Sequence, residues 1–422
     1  LCASKRRTRR CFRFRFTVGV VLGIAGLPQA VQAVVAPLER GLHIGRFEGH
    51  ASFSLQNRYE SNVFHLPATT LADFSTIFEP GVNALWKRED TRFSFGAVYR
   101  KEEYWGVQTA ATERQSTERW GTDLAAEHTF LTNTSLSAEG RFERTRDPIF
   151  ADVTLSRDQR ERDRWTAGTV IEQSLATGLL DLALEYQFTR DDFRRIEPLT
   201  PQGAPPDLDR TGHNLELQAK LRLFTTLTVY GRIDYARLER DQSLRLTPEG
   251  TALSNQSDTV LLGFGLTGKR RPQFEWDLFG AVGVGVFSGL ESSTTARGQA
   301  KLQVRYVPTE LTEIALLGQY EDLDGTFSNR LQVLRGQIDL EHKVLPSLTL
   351  AGALQVWRTE FEGPFRRRDR SVESRTGVRY QAPNQEWLEI GLSHRWNRRF
   401  SSREALFAFT NHTVAVQLNL RY

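Results

Sequence analysis

Charged side chains recurring at every second position are the feature of this chain that could do chemistry. Carboxylates at Glu48, Asp123, Glu127 and Glu139, the imidazole of His50, and guanidiniums at Arg141, Arg232, Arg297, Arg305, Arg335, Arg375, Arg379 and Arg395 all fall at polar positions of alternating polar and apolar runs. A guanidinium meets a carboxylate through two parallel N–H···O bonds. On neighbouring strands, such pairs form rungs that brace a wall. Charges not consumed as rungs would set a field across an opening and sort what enters it.

Other chemistry finds little support. The His residues at 43, 50, 65, 128, 213, 342, 394 and 412 are scattered, with no HExxH, no GxSxG and no metal-ligand spacing. If the chain ends met, His50 would approach His412 beside Ser52, the one grouping suggestive of hydrolysis. Nothing in its spacing supports that activity. We expect no enzyme, no cofactor and no metal. Lys and Arg total 55 against 51 Asp and Glu, interleaved along the whole chain, so no basic patch for nucleic acid emerges. The acidic stretches Arg190-Asp191-Asp192 and Asp207 with Asp209 are candidate cation loops, and Arg366-Arg367-Arg368 a candidate site for anionic sugar.

The elements that must position these residues are strands. Val414, Val416, Leu418, Leu420 and Tyr422 alternate with Ala415, Gln417, Asn419 and Arg421. Successive strand side chains point to opposite faces, so one face is apolar and the other wet. Phe47, Gly49, Ala51, Phe53 and Leu55 oppose Glu48, His50, Ser52, Ser54 and Gln56 in the same way. So do Leu180, Leu182, Leu184, Tyr186 and Phe188 against Asp181, Glu185 and Gln187.

Short breaks recur at Lys87–Asp90, Leu131–Thr134, Leu175–Gly178, Arg222–Thr225, Arg270–Gln273, Val307–Glu310, Lys343–Pro346 and Ala382–Gln385. Asn133, Gly178, Pro272, Pro308 and Pro346 in them are turn formers. Longer connections alternate with these turns. Short turns on one side and long loops on the other are the signature of an antiparallel transmembrane β-barrel. Eight short turns and two free ends predict about eighteen strands. Sixteen is the alternative, because Pro80 interrupts the second strand and the connection at 287–294 is short. A propeller would need turns about every ten residues, which the longer runs here do not show.

Residues 5–15 are basic, residues 16–27 apolar, and Val31-Gln32-Ala33 offers a small-residue cleavage site. That order predicts a cleavable secretory signal over 1–33. Its apolar core is shorter than the roughly 20 residues that span a bilayer. Both cysteines, Cys2 and Cys11, lie in it, so the exported chain has no disulfide chemistry. Residues 34–45 read as a short periplasmic lead-in and 46–422 as the barrel, in the outer membrane of a Gram-negative bacterium. Lipid and lipopolysaccharide are the expected surroundings.

Aromatic residues support a membrane setting. Trp86, Phe93, Phe130, Tyr306, Tyr380, Trp387 and Tyr422 lie near the short turns, and Tyr104, Trp120, Phe188, Tyr320, Trp357 and Trp396 near the long loops. Two such bands match the girdles at the two membrane interfaces. Leu418, Leu420 and Tyr422 resemble the terminal signal by which bacterial barrels reach their assembly machinery.

Arg58-Tyr59-Glu60-Ser61-Asn62-Val63-Phe64, closing the first strand, resembles a signature of the β-barrel porin 2 family, with Pro67, Asp73, Phe74, Ser75 and Pro80 following in similar order. Glu60 stands where that family usually has Asp. The resemblance covers residues 50–86 and brings no catalytic residues. It implies a barrel linked to capsule and exopolysaccharide export, hence a polysaccharide partner. From the residues themselves, Ser61-Asn62 makes a side-chain-to-backbone turn that opens the first loop. The expected function is a porin-like conduit, with a structural or adhesive barrel as the alternative. An energised transporter with a plug ahead of its barrel is not expected.

Overall fold

The computed structural model describes residues 41–421 except 64, 66–69, 108–115, 131–132, 149–158, 195–208, 242–254, 271–272, 289–292, 325–329, 363–365, 384 and 386. The expected signal segment, Phe64, Pro67 and Tyr422 lie outside the described residues.

A stub, β1 (Leu42–Ile44), precedes the long strands β2 (Phe47–Glu60), β3 (Asp73–Lys87), β4 (Thr91–Tyr104), β5 (Thr117–Phe130) and β6 (Thr134–Pro148). Next come β7 (Gln159–Leu175), β8 (Leu180–Arg194), β9 (Arg210–Phe224), β10 (Leu227–Arg240), β11 (Gln256–Arg270) and β12 (Phe274–Ser288). The last are β13 (Ser293–Thr309), β14 (Thr312–Leu323), β15 (Arg330–Leu345), β16 (Leu348–Glu362), β17 (Arg367–Gln381), β18 (Leu388–Ser401) and β19 (Phe409–Arg421). Each long strand pairs antiparallel with the next, and β19 returns to β2 from Thr413↔Glu60 to Arg421↔Ser52. The 19-stranded sheet is thus an eighteen-strand closed antiparallel barrel plus the stub. Closure leaves no unpaired backbone edge, as a lipid environment requires.

Pro80 explains why the second long strand reads weakly. It pairs with Phe53 on β2, but the β3–β4 ladder stops at Phe78↔Lys101 and resumes at Gly81↔Val98. A proline has no N–H to give that neighbour. The strand survives because its other edge is intact, and the sixteen-strand alternative falls. Gly178, with φ of +86°, turns the chain between β7 and β8, a backbone conformation that glycine adopts without steric cost.

Part of the expected lead-in is sheet. Leu42, His43 and Ile44 pair with Gly49, Glu48 and Phe47. The opposite edge of β2 belongs to β3, so the stub continues the line of β19 below Arg421.

Hydrogen bonds that skip strands identify the concave face. Arg58 on β2 donates to Tyr104 Oη on β4 (2.8 Å), Tyr230 on β10 to Asp277 on β12 (2.8 Å), and Arg232 on β10 to Gln299 on β13 (2.7 Å). Such reaches are possible only across the inside of a curved wall. The opposite parity carries the exposed apolar band, including Val82, Phe95, Leu124, Leu184, Leu262, Val282, Leu334 and Val416.

Candidate lumen wall and barrel seam

Register puts Glu48, His50, Asp123, Glu127, Glu139, Arg141, Arg232, Arg297, Arg305, Arg335, Arg375, Arg379 and Arg395 on that concave face. The structure divides them by what holds them.

One group braces the wall. Arg232 donates to Asp234 (2.9 Å) and Gln299 (2.7 Å), lies 4.1 Å over the Phe279 ring, and is 8% exposed. Gly263 and Gly265 on β11 make this possible, because a Cβ there would strike the rings of Phe279 and Tyr230, respectively. Those two rings stack with an interplanar angle of 5° and cluster with Ala281 and Leu261. Arg297 is pinned by Asp324 (2.5 Å) and the Leu323 carbonyl (3.1 Å), and lies 5.0 Å over Phe287. Arg305 grips Glu313 through two bonds of 2.8 and 2.7 Å. Arg335 donates to Gln337 at 2.5 Å. Glu48 accepts from Lys87 Nζ at 3.1 Å.

A second group stays half-exposed on the concave face. Arg375 and Arg395 share the buried carboxylate of Glu373, the latter at 2.6 Å, and Arg379 donates to Glu341 at 2.6 Å. Their side chains remain 45%, 44% and 45% exposed in that order. Arg141, bonded to Glu143 at 3.0 Å, is similarly open. Asp123 and Glu139 on β5 and β6 are exposed carboxylates that lie over Gly96 and Gly168 of the adjoining strands. Glu127 is half-buried opposite Arg92. Exposed carboxylates on β5–β6, with Arg141 among them, and exposed guanidiniums on β17–β18 give the concave face charges of both signs. Glu185, Glu216 and Asp234, in register on β8, β9 and β10, add carboxylates to that face.

The first-strand motif fastens the seam. Asn411 on β19 accepts from the Asn62 backbone N–H (3.0 Å) and Ser61 Oγ (3.2 Å), and its amide donates to Glu60 (2.8 Å). Asn62 donates from its own amide to the Thr410 carbonyl (3.3 Å), and Ser61 Oγ accepts from the His412 N–H (2.8 Å). Tyr104 donates to the other Glu60 oxygen at 2.9 Å. His65, in the left-handed region with φ of 52°, bonds Glu60 at 3.2 Å and stacks on Phe409 at 4.6 Å. Val63 is wholly buried within this clasp, whereas Tyr59 faces outward against Phe74. Leu418 and Leu420 face outward on β19, opposite Leu55 and Phe53.

Several expectations are corrected. Tyr104 and Trp357 do not join the outer girdle. They share parity with Glu102 and Gln355 and face inward. His412 points outward and stacks on His394 at 5.6 Å, on the opposite face from His50, so the two do not meet. Asp191 is no cation loop, because Arg164 (2.6 and 2.9 Å) and Arg210 (2.9 Å) enclose its carboxylate. Arg367 opens a strand instead of lying in a loop, and turns inward between the rings of Phe361 (4.2 Å) and Phe407 (3.9 Å). Phe407 ends α1 (Glu404–Phe407), so the last external connection folds against the inner wall.

The braced glycine patch and the role of Asn411 escaped the sequence reading. Glycines at one parity, 263, 265, 283 and 285, were the available signal for the patch. Nothing local distinguishes Asn411 from any other strand asparagine.

No family profile and no curated protein matches the chain. Solved structures do. The apoprotein form of the FrpB iron transporter of Neisseria meningitidis (F5-1 variant) aligns with a TM-score of 0.50 at 9% identity, over 88% of this chain and 81% of that one. OpdK, an outer membrane protein of Pseudomonas aeruginosa, aligns with a TM-score of 0.46 at 10% identity, over 89% and 99%. OccAB4 of Acinetobacter baumannii gives 0.47 at 12%, over 89% and 98%. At these identities the FrpB likeness speaks for the fold alone, an outer-membrane type of β-barrel.

Proposed function

We propose that this chain is a porin-like conduit through the outer membrane, linked to the export of surface polysaccharide. The observation that carries the conduit is the half-exposed state of Arg141, Arg375, Arg379 and Arg395 on the concave face. Water reaches guanidiniums on well-separated parts of the wall. Porins of sixteen to eighteen strands leave an aqueous channel. Guanidiniums and carboxylates exposed on the inner wall would orient and sort polar solutes. The polysaccharide link is supported by the Arg58–Phe64 resemblance and by a lumen rich in groups that hydrogen-bond hydroxyls and carboxylates.

Planar-bilayer recording tests the conduit. The purified barrel should give stable ohmic openings, and silence at all voltages would leave the structural or adhesive reading standing. Replacing Arg375, Arg379 and Arg395 together by Gln should shift the reversal potential in a salt gradient toward cation preference. An unchanged reversal potential would remove these residues from the solute path. For the sugar link, deletion of the gene should abolish cell-surface polysaccharide while polymer accumulates inside. Normal surface polysaccharide would refute it.

A further inference from the structure

On the outer face of β16–β18, just above the apolar band, the wall carries more cations than the described carboxylates beside them neutralise. Leu354 and Val356 end the outward apolar run of β16 and Arg358 follows. Arg358 stands directly opposite Arg370 on β17. Arg398 on β18, opposite Val372, lies one outward step below Arg370. Like charges facing each other on neighbouring strands repel. Glu360 is shared by Arg358 and Arg368, the latter at 3.1 Å. Among the described residues, no carboxylate pairs with Arg370 or Arg398. Arg398 lies 4.5 Å over the outward ring of Phe400.

Elsewhere on the same rim, outward cations among the described residues have partners. Arg144 grips Asp163 (2.6 and 2.7 Å), Arg190 bonds Asp192 (2.7 Å), Arg237 bonds Glu239 (2.6 Å), Arg330 bonds Asp322 (2.9 Å), and Lys101 meets Glu103 (3.4 Å). The surplus is local. At this depth, beside the acyl-chain band, the anionic groups within reach are those of outer-leaflet lipids.

We propose that Arg358, Arg370 and Arg398 bind the phosphate of an anionic glycolipid of the outer leaflet. Planar guanidiniums grip phosphate oxygens through paired bonds, and one phosphate between Arg358 and Arg370 turns their repulsion into a bridge. Trp396, one outward step below Arg398 on β18, offers its ring to the acyl chains. The proposal rests on the outer-membrane location but not on conduction.

Native mass spectrometry of the whole barrel in detergent tests it, with bisphosphorylated lipid A, the same lipid without phosphates, and inorganic phosphate as probes. The wild-type barrel should retain bisphosphorylated lipid A about tenfold better than the dephosphorylated lipid, a difference of roughly 1.4 kcal/mol. The double variant R370Q/R398Q should lose that preference, while R190Q keeps it. Equal retention of both lipids by the wild-type protein, or an undiminished preference in R370Q/R398Q, overturns the site. Displacement by equimolar inorganic phosphate would also overturn it, assigning the site to the free anion. Heat-modified gel migration confirms that each variant is a folded barrel, and R370Q alone serves if the double variant is not. Conductance should be the same in R370Q/R398Q and wild type, which separates failure of this site from failure of the conduit.

Discussion

Asn411→Leu should lower the stability of the barrel by about 3 kcal/mol, while His412→Leu, one residue on, changes it by a few tenths. The reason is the seam. Asn411 is 6% exposed and serves Asn62, Ser61 and Glu60 at once, joining the last strand to the first. Leucine has similar volume but removes the acceptor of the Asn62 N–H and Ser61 Oγ bonds and one donor to the Glu60 carboxylate, which keeps Tyr104 and His65. A buried hydrogen bond contributes about 0.5–1.5 kcal/mol, and one to a charged group about 1.5–3 kcal/mol. The His412 side chain faces outward toward His394, and only its backbone N–H serves the clasp. Urea unfolding in detergent, followed by heat-modified migration, measures both variants. Equal midpoints for Asn411→Leu and wild type would show that the clasp adds nothing to closure.

A second pair of variants probes the braced patch on the inner wall. Gly283→Val should destabilise the barrel by about 3 kcal/mol or prevent folding, and Gly280→Val should be tolerated. Both lie on β12, at opposite parity. A Cβ on Gly283 would overlap the Val260 carbonyl of β11, a backbone group that no rotamer change can move. Overpacking of this kind typically costs about 1–3 kcal/mol. Around Gly280 no atom lies within 4 Å of the added Cβ, because that side faces lipid. The same unfolding assay decides, and equal tolerance of the two substitutions would mean that β11 and β12 can separate without cost.

The strand rhythm was legible because it is local. Each barrel strand shows its alternation within a dozen residues, and the short turns carry their own Pro, Gly and Asn. Even Pro80, which weakened one strand in the reading, broke only the ladder to β4. The charged candidates were legible as a face for the same reason. Tyr104 and Trp357 were misplaced by a preference for aromatic girdles over parity, although Glu102 and Gln355 had the parity on display.

Composition and period by themselves determined that this chain forms antiparallel strands with one wet and one apolar face, because both follow from each residue and its neighbours. Which guanidinium becomes a brace and which remains open to the lumen was decided only by the closed wall. Arg232 and Arg375 look alike in the sequence. Yet Arg232 crosses glycines of one strand to reach Gln299 three strands away, and Arg375 stays half-exposed beside Glu373. Curvature brings distant strands within side-chain reach, and closure sets Asn411 beside Asn62, 349 residues apart. Neither distance exists until the barrel shuts.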